Sequence, residues 1–467
     1  MTTPPCVPGL PIVGNLWDYY RNTEPLLRRG YETLGPVFSL RLGPKRAVVL
    51  IGPEYHQFFF RETDRKLSVS KEFEWSKAIF GERFPLAAET ARHRADRPVL
   101  HKPLMGRALR PHAGAFAEET AIWLDSLGDR GQFDVVDAAI RITMWNAIRG
   151  LVGRETRLQF GDEFRSLLAG LARAASDHLL RGSRLRLKNS RRDRAKQHLG
   201  RIVQTTIDSR RAGVTHEQDF LKALLEAEVD GAPIPDADII DLGISFIWAG
   251  HATLAGHLSW TLIQLLQHPE YLKTVREELF SVSGESDEAL PEQLPELRRL
   301  EWAIRETERL RPSVLVIGRV TLESYEAGGY EVPRGWLTFI SPAVAHRLPE
   351  IFPHPDAYDP ERFAPGRREH AGKPNSLIGF GGGYHKCVGE DFALLEMKVI
   401  LSMLLRKFDL RLEHPNPVRR RGPGPNLPQG PVMISYEERK DFNARAPFPG
   451  FATTEADSHP CSNREAT

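Results

Sequence analysis

The sequence predicts a mainly α (α+β) domain with one long central helix and minor β-sheets. Three observations predict it: Asp236 to Gln267 is apolar on several faces, helical spacing dominates from Ala91 onward, and strand-like stretches follow Pro312. A helix of about thirty residues spans roughly 45 Å, enough to cross a whole large domain. Because its apolar positions are not confined to one stripe, we expect this helix to be buried.

The chain opens on a Pro-rich stretch, and an alternating pattern then predicts a β-hairpin. Val37 to Leu42 and Ala47 to Ile51 alternate on either side of a turn at Gly43 and Pro44. The central helix should begin at Asp236, a good N-cap, and end just before Pro269.

Beyond Pro312 the pattern becomes rich in strands and turns. Val314 to Ile317, Gly328 to Val332 and Leu337 to Ile340 predict short strands of a second sheet. Residues 346–373 have little periodicity and much Pro, Arg and Asp, which predicts a long ordered meander. A last helix should start after Gly389 and run to about Lys407.

The composition is typical of one globular domain in a reducing compartment. The 467 residues carry a net charge of +2 with basic and acidic residues interspersed, which gives no case for nucleic acid as a partner. Three cysteines are too few for a disulfide framework. Because a signal-peptide pattern and a long apolar run are both missing, we expect a cytoplasmic protein with no membrane anchor. Residues 1–440 should form one catalytic domain, and 441–467 a disordered tail.

The strongest motif runs from Phe380 to Gly389 and contains Cys387 just before the last helix. A helix N-terminus and nearby backbone N–H groups stabilise a thiolate. Glycines at 381–383 let the backbone fold tightly beneath a flat ligand. Taken alone, the segment could also be a glycine turn that merely contains a cysteine.

This segment resembles the haem-binding signature of the cytochrome P-450 superfamily, Phe-x-x-Gly-x-His-x-Cys-x-Gly, at every fixed position. The resemblance implies the cytochrome P-450 fold, haem b with Cys387 as its axial thiolate ligand, His385 as a propionate contact and Phe380 packed near the sulfur. A thiolate ligand pushes electron density onto iron and favours O–O cleavage. Further motifs follow the family's order: the resemblance ties Glu306, Arg309 and Arg362 into a buried network that braces the cysteine loop. Glu306 and Arg309 alone could equally be an exposed i,i+3 pair.

The central helix carries Ala249-Gly250-His251-Ala252-Thr253. In the family, this is where dioxygen sits and the threonine helps deliver protons, so Thr253, Gly250 and His251 are the candidate catalytic residues. The position before the threonine is usually acidic and is Ala252 here, so His251, water or substrate would have to serve. Without Cys387, a satisfied core threonine would be the preferred interpretation of Thr253.

Haem propionates need cations, and two segments offer them. His93, Arg97 and His101 have helical spacing and resemble the family's propionate-binding helix; Arg319 resembles its propionate-binding arginine. Each alone could be a solvated surface charge.

Within the superfamily, the sequence resembles bacterial enzymes related to sterol 14α-demethylases. It departs from them at Phe73, which replaces a tyrosine, and at Ala252, which replaces a histidine. Oxidation of another fused-ring, steroid-like or terpenoid-like molecule is therefore the preferred interpretation, and sterol demethylation the alternative. The same alignment gives the candidate substrate-binding residues, any of which could instead be core: Phe73, Trp75, Phe80, Leu86, Trp248, Ala249, Leu315, Val316, Ile317 and Leu427.

The resulting prediction is a monomeric haem-thiolate monooxygenase that uses O2 and electrons drawn ultimately from NAD(P)H. The sequence has no flavin or dinucleotide domain, so a separate ferredoxin and ferredoxin reductase should deliver the electrons. Two alternatives remain at this point: a haem-thiolate enzyme that rearranges or couples its substrate without net oxygen insertion, and a non-catalytic haem-binding carrier or sensor. An acidic electron carrier could bind basic residues near the cysteine: Arg97, Lys102, Arg107 and Lys386.

Overall fold

The computed structural model describes residues 2–159, 190–283, 293–422 and 424–439, and within them the predicted helical α+β architecture is confirmed. The prediction of a disordered tail at 441–467 lies outside the described residues. The longer helices are Thr23–Leu34, Pro53–Glu62, Thr90–His101, Arg110–Leu127, Val135–Val152, Ser190–Arg211, Asp236–Gln267, Pro269–Ser283, Arg298–Leu310 and Glu390–Lys407. The short ones are Leu16–Arg21, Val69–Glu72, Lys77–Phe80, Arg154–Gln159, Phe220–Leu225 and Pro342–Ala345.

The central helix has the predicted bounds, Asp236–Gln267. It packs against the helices Val135–Val152, Arg298–Leu310 and Glu390–Lys407, and its C-terminal half is buried almost continuously from Leu254. By length and composition alone this helix could cross a membrane. Its neighbours on several sides are those of a core helix, because each covers an apolar face that would otherwise meet water.

The predicted N-terminal hairpin is confirmed as β1 (Val37–Leu42) and β2 (Lys45–Leu50). The prediction of a separate second sheet is wrong. The strands β7 (Ile317–Thr321) and β10 (Leu337–Ile340) join the hairpin in one five-stranded sheet, in the order β1-β2-β10-β7-β3, where β3 is Leu67–Ser68. Here β10 pairs in parallel with β2, a contact between residues almost 300 positions apart that no local pattern reveals.

Two predicted strands have different bounds. The stretch from Val314 to Val316 precedes the strand, because the carbonyl of Leu315 accepts a hydrogen bond from the Ser341 hydroxyl rather than from a neighbouring strand. Of the predicted strand from Gly328 to Val332, only β9 (Tyr330–Val332) is extended, since both glycines have positive φ and form the turn after β8 (Tyr325–Ala327). The other strands are β4 (Arg130–Asp134), β5 (Glu228–Val229), β6 (Ala232–Pro233), β11 (Phe408–Leu412) and β12 (Met433–Glu438).

The main core lies between the long helices, and two smaller apolar clusters cover the faces of the five-stranded sheet. The meander from His346 follows as predicted, with only short 3-10 turns such as Pro360–Phe363. The last helix begins at Glu390 and ends at Lys407, as predicted. Helices and sheet together hold the cysteine loop in front of the central helix.

Candidate haem site

The cysteine loop is a tight turn fixed by its backbone. The Cys387 N–H donates a hydrogen bond to the Phe380 carbonyl over 2.9 Å, and the last helix begins three residues later at Glu390. Gly381 has φ 73°, a left-handed conformation that side chains disfavour. At Gly382, a Cβ would come within 2.6 Å of the Phe60 ring. The loop can therefore close only with glycines at these positions.

Cys387 is a free cysteine with an exposed side, although the protein around it is dense. Burial raises the pKa of the Cys387 thiol, and the nearby Glu390 carboxylate acts in the same direction. The Gly389 backbone N–H and the charges of Arg97 and Lys386 oppose this rise. The thiol thus sits where a bound metal cation, added to these positive charges, would complete its deprotonation.

An ion network that the sequence reasoning missed lies behind the loop. Arg305 donates to Glu308 over 3.1 Å and to Glu390 over 2.9 Å, and Lys386 pairs with Glu390 at 2.6 Å. The Arg305 guanidinium also lies 6.0 Å from the centre of the Phe380 ring. The network ties both ends of the cysteine loop to the helix Arg298–Leu310.

Glu306 and Arg309 form the buried pair that the family resemblance implies. Both side chains are fully buried, and Arg309 donates to the two Glu306 carboxylate oxygens over 2.7 and 2.8 Å. Arg362 lies 3.4 Å from Glu306 and donates to the His354 carbonyl over 2.8 Å. Arg309 also reaches three backbone carbonyls of the meander, those of His346, Pro355 and Ala357. The arrangement braces the chain that leads into the cysteine loop, and its role remains a structural one.

The central helix presents an open surface at Gly250. Apart from the helix's own nearby backbone, no heavy atom of the described residues lies within 4 Å of where a Cβ on Gly250 would stand, and the preceding Ala249 is exposed. One turn further on, the Thr253 hydroxyl donates back to the carbonyls of Ala249 and Gly250, at 2.9 and 3.1 Å. This bond uses the only hydroxyl proton, so the lone pairs of Oγ1 remain available to accept a proton from a neighbour.

His257 connects this open surface to the cysteine loop. It lies one turn beyond Thr253, and its ring centre is 6.3 Å from that of Phe380. His257 Nε2 is bonded to the Ile304 carbonyl over 2.9 Å. Burial lowers the pKa of His257 to about 4, so the ring is neutral and donates this bond.

His251 points elsewhere. Its Nδ1 is bonded to the Ile247 carbonyl over 2.9 Å, and burial lowers its pKa. Successive residues of a helix are about 100° apart, so His251 lies well away from the face of Gly250 and Thr253. Its own carbonyl accepts a bond from Thr143 on the neighbouring helix. A catalytic role for His251 stays a prediction, and this register favours water at the place of the missing acid.

His93 and His385 meet face to face beside the loop. Their ring centres are 3.9 Å apart and nearly parallel, and His385 Nε2 is bonded to Asp64 Oδ2 over 2.8 Å. Burial, together with the charges of His385 and Arg97, lowers the pKa of His93 to about 3. Burial alone would raise the pKa of Asp64, but the hydrogen bonds from His385 and Thr90 and the charges of His385 and His93 together hold the pKa below its usual value. Asp64 was missed in the sequence because its partner is 321 residues away.

Arg319 is a buried cation without a carboxylate in ion-pair distance among the described residues. Only 5% of it is exposed, and its hydrogen bonds go to the Gly318 carbonyl and, at 3.4 Å, to the Thr63 hydroxyl. Burial lowers the pKa of Arg319 to about 10, which leaves it charged at neutral pH. An uncompensated buried charge is costly unless an anion joins it.

The other two predicted cations differ in position. Arg97 lies over the ring of Tyr384, 5.4 Å from its centre, and burial lowers its pKa. His101 is the last residue of the helix, roughly 12 Å further along the axis than His93. Hydrogen bonds and ring contacts of the described residues connect His93 and Arg97 to the loop but do not include His101. A propionate contact of His101 stays a prediction.

These residues fit a haem. The exposed sulfur of Cys387 would be the ligand of the iron, and the open surface at Gly250 would leave room for dioxygen or substrate. Among the described residues, the buried His93 Nδ1 has no hydrogen-bond partner and Arg319 has no carboxylate in ion-pair distance, so an anionic group such as a propionate would satisfy both. A flat, dianionic ligand of iron satisfies all four features together.

The predicted substrate-binding residues fall into two groups. Phe73, Trp75, Leu86 and Trp248 are partly buried at the edge of the main core, and Val316 and Ile317 at the edges of the sheet clusters. Phe80, Leu315 and Leu427 are buried; the Phe80 ring packs 4.8 Å from that of Trp248. Contact of any of them with a substrate stays a prediction, and the partly exposed group is the better placed for it.

Comparison with known proteins agrees with this geometry. The sequence model described as Cytochrome P450 matches residues 4–435. A sterol 14alpha-demethylase of Mycolicibacterium vanbaalenii is 32% identical over 86% of this chain and 90% of its own length. The obtusifoliol 14-alpha demethylase of Sorghum bicolor is 30% identical over 94% of this chain and 91% of its own.

Among solved structures, a retinoic acid bound cyanobacterial CYP120A1 superimposes with a TM-score of 0.82. The two sequences are 24% identical, and the match covers 94% of this chain and the whole of the other. It therefore supports the fold. The match of the family model over nearly the whole chain, together with the cysteine loop and its cations, shows that this chain belongs to the cytochrome P450 family of haem-thiolate monooxygenases.

Proposed function

We propose that this monooxygenase oxidises a large, hydrophobic, steroid-like or terpenoid-like molecule. The observations that carry the proposal are the open surface of the central helix at Gly250 and the partly exposed aromatic side chains at the edge of the main core. Ala249 and Gly250 leave space in front of the helix, and Trp248 and Phe73 lie partly exposed near the core edge. A pocket with few polar groups binds by burial of apolar area and suits a ligand of the same character.

Haem held by Cys387 would supply the iron at which dioxygen is activated. The chain's own contribution is made at three places. His385, His93 and Arg319 would hold the acidic edge of the cofactor, with the charge of Arg319 opposite it, and Phe380 would pack beside the sulfur. Near the open surface at Gly250, the Thr253 hydroxyl would take up a proton from water at Oγ1 as it hands its own proton on to the reacting group in that space, so that the hydroxyl is restored. Ala252 offers no acid, so water is the proton source in this proposal.

Sterol 14-demethylation is the second candidate, and one observation favours it. The relatives that match over about nine-tenths of their length are named as sterol or obtusifoliol 14-demethylases. Phe73 and Ala252, which depart from the pattern of such enzymes, favour a different molecule of similar size. The two candidates differ in the product, not in the cofactor chemistry.

The electron donor in this proposal is a separate ferredoxin with its reductase, which draws on NAD(P)H, and the protein works as a cytoplasmic monomer. Lys102 and Arg107 are exposed next to the histidine helix, and Lys386 is exposed beside the cysteine loop. Attraction between such a surface and an acidic carrier is long-ranged and weakens as salt is added. The rate of reduction by an acidic ferredoxin should therefore fall as the ionic strength rises. In Lys102→Glu this dependence on ionic strength should be weaker.

Ligand titration followed by product analysis tests the substrate proposal. Obtusifoliol, lanosterol and a set of polycyclic terpenoids are added to the ferric protein, and the substrate-induced spin shift is measured. A steroid-like or terpenoid-like ligand should bind saturably, and Trp248→Ala should weaken it at least about tenfold through lost apolar contact. The exposed Trp17→Ala is the matched control. Equal affinity in both variants, or no shift with any polycyclic ligand, would contradict the proposal.

The identity of the product then separates the two candidates. Loss of the 14-methyl group as a one-carbon acid from obtusifoliol or lanosterol would support the second candidate. A hydroxylated product that carries one atom from labelled dioxygen supports the first. If neither the product nor a released one-carbon acid carries label, the reaction is a rearrangement or coupling, and both candidates are overturned.

The role of Thr253 is tested by the coupling of oxygen use to product. Thr253→Ala should bind substrate normally but release several times more hydrogen peroxide per NAD(P)H consumed, because the proton acceptor at Oγ1 is gone. Thr261→Ala is the matched control, since Thr261 makes the same backward bond, to the His257 carbonyl over 2.8 Å, in the buried part of the same helix. Unchanged coupling in Thr253→Ala would refute the role.

A further inference from the structure

A second cavity lies on the far side of the helix Arg298–Leu310, outside the haem site. Its volume is about 330 Å³, and its wall includes Arg28, Arg311, Arg347, His268 and Asp356. The cavity is formed where the central helix and the helix Arg298–Leu310 both end, beside the meander. Nothing in the haem chemistry uses these residues.

The wall of this cavity is strongly positive. It carries three guanidinium groups and one carboxylate, that of Asp356. Asp356 is 67% exposed and serves two of the arginines: it pairs with Arg347 at 2.5 Å and lies 3.8 Å from Arg28. Glu24 lies 3.7 Å from the same two arginines. Solvent screens the exposed carboxylate, so the cavity keeps an excess of positive charge.

Arg311 has the least compensation. Among the described residues no carboxylate lies in ion-pair distance of its guanidinium, which instead rests on the Trp260 ring, 4.7 Å from the centre. Burial lowers the pKa of Arg311. Its buried Nε–H has no hydrogen-bond partner among the described residues, and neither has Arg347 Nε, which lies 3.7 Å from the Glu24 carboxylate. Buried donors in native proteins are nearly always paired, so these two point to an acceptor group within the cavity.

The acceptor must be anionic and rich in oxygen. Guanidinium groups donate several N–H bonds in a fixed planar arrangement that matches phosphate and carboxylate oxygens. Asp356 and Glu24 both pair with Arg28 and Arg347, so the third guanidinium, that of Arg311, is left without a carboxylate in ion-pair distance among the described residues. A phosphoryl group offers three or more acceptor oxygens and up to two charges. The cavity is also larger than one phosphate requires.

We propose that this cavity is a binding site for a phosphate-type oxyanion, with Arg311, Arg347 and Arg28 as its ligands. The oxyanion is either free phosphate or diphosphate, or the phosphoryl end of a nucleotide. The cavity is separate from the haem site, because its lining residues on this side, Leu310 and Arg311, come after the fully buried Glu306–Arg309 pair along the chain.

Calorimetric titration of the haem-loaded protein tests the site. The probes are inorganic phosphate, diphosphate and ADP, at constant ionic strength set by chloride. We expect saturable one-to-one binding of at least one probe, weakened roughly ten- to hundredfold in Arg311→Gln by loss of a charged hydrogen-bond donor. Arg311→Lys, which keeps the charge, should retain part of the affinity.

Two further variants make the result specific. Arg46 lies over the Trp336 ring at 5.6 Å and is exposed, so Arg46→Gln is the matched control and should bind like the parent protein. Arg28→Gln, at a side chain that is 35% exposed, tests the site without disturbing the core. Tighter binding of ADP than of diphosphate identifies a nucleotide as the source, and the reverse order identifies the free anion. Absence of saturable binding, or equal affinity in Arg311→Gln, Arg28→Gln and Arg46→Gln, would overturn the proposal.

Discussion

Replacement of Arg309 by methionine should destabilise the protein more than any exposed charge substitution on the same helix. Arg309 makes five hydrogen bonds, two to Glu306 and three to the carbonyls of His346, Pro355 and Ala357. Methionine keeps the apolar stem but donates none of them. Glu306 would be left as a buried charge with the Asp359 N–H at 2.8 Å and Arg362 at 3.4 Å.

The magnitude follows from burial. Removal of one partner from a fully buried pair costs about 3–5 kcal/mol, because the remaining charge stays desolvated. That is a large part of the roughly 5–15 kcal/mol by which a typical domain is stable. Since the three carbonyls belong to the meander that leads to the cysteine loop, haem retention should fall together with the free energy of unfolding.

Urea unfolding of the haem-loaded protein, followed by far-UV circular dichroism and by haem absorbance, measures both effects. Arg299→Met is the matched control: it lies on the same helix and pairs with Glu361 at 3.4 Å, with 45% and 42% of the side chains exposed. An exposed pair of this kind contributes about 1 kcal/mol or less. If Arg309→Met loses no more stability than Arg299→Met, the bracing role assigned to the buried network is refuted.

Two other substitutions test the roles of Asp64 and His257. Asp64→Asn removes the charge that accepts from His385 over 2.8 Å, so haem transfer to apomyoglobin should be roughly tenfold faster, while Asp18→Asn, in an exposed pair with Arg29, should leave the rate unchanged. Equal transfer rates in the two variants would show that Asp64 does not position His385. For His257, burial lowers the pKa from 6.5 to about 4. Between these pH values the unfolded chain is protonated at this residue and the folded chain is not. The contribution of each such histidine to the free energy of unfolding is full above pH 6.5. It falls by about 1.4 kcal/mol for each pH unit between pH 6.5 and about 4. His257→Gln should therefore show a shallower loss in urea unfolding between pH 6.5 and 4, and an unchanged slope would contradict the assignment of a neutral His257.

The parts of this fold that could be predicted from sequence are those with local signals. The central helix shows its apolar faces and its bounding prolines within its own residues, and its predicted bounds are those observed. The hairpin of β1 and β2 likewise has its turn between its strands. The cysteine loop is a contiguous segment, so its glycines and Cys387 are recognisable together.

What could not be predicted depends on contacts between distant segments. The pairing of β10 with β2 is set by the closing of the whole sheet, so the sequence assigned β7 and β10 to a second sheet, although they belong to the sheet of the N-terminal hairpin. Asp64 has no motif around it, and its role can be recognised only from its hydrogen bond with His385 in the folded chain. Arg305 does have a local signal, since Glu308 follows it at i+3, but its bond to Glu390 requires the loop to be folded. The sequence predicts Phe73 and Phe80 alike as substrate-binding residues, but only the structure shows that Phe80 is buried and Phe73 partly exposed.

The absorption spectrum of the reduced protein under carbon monoxide tests the central claim most directly, namely that Cys387 is the axial thiolate of a bound haem. The Soret band should lie at the strongly red-shifted position of thiolate-ligated ferrous haem, and Cys387→Ser should lose that position. A band typical of histidine-ligated haem in the parent protein, or a folded protein that binds no haem, would contradict the assignment.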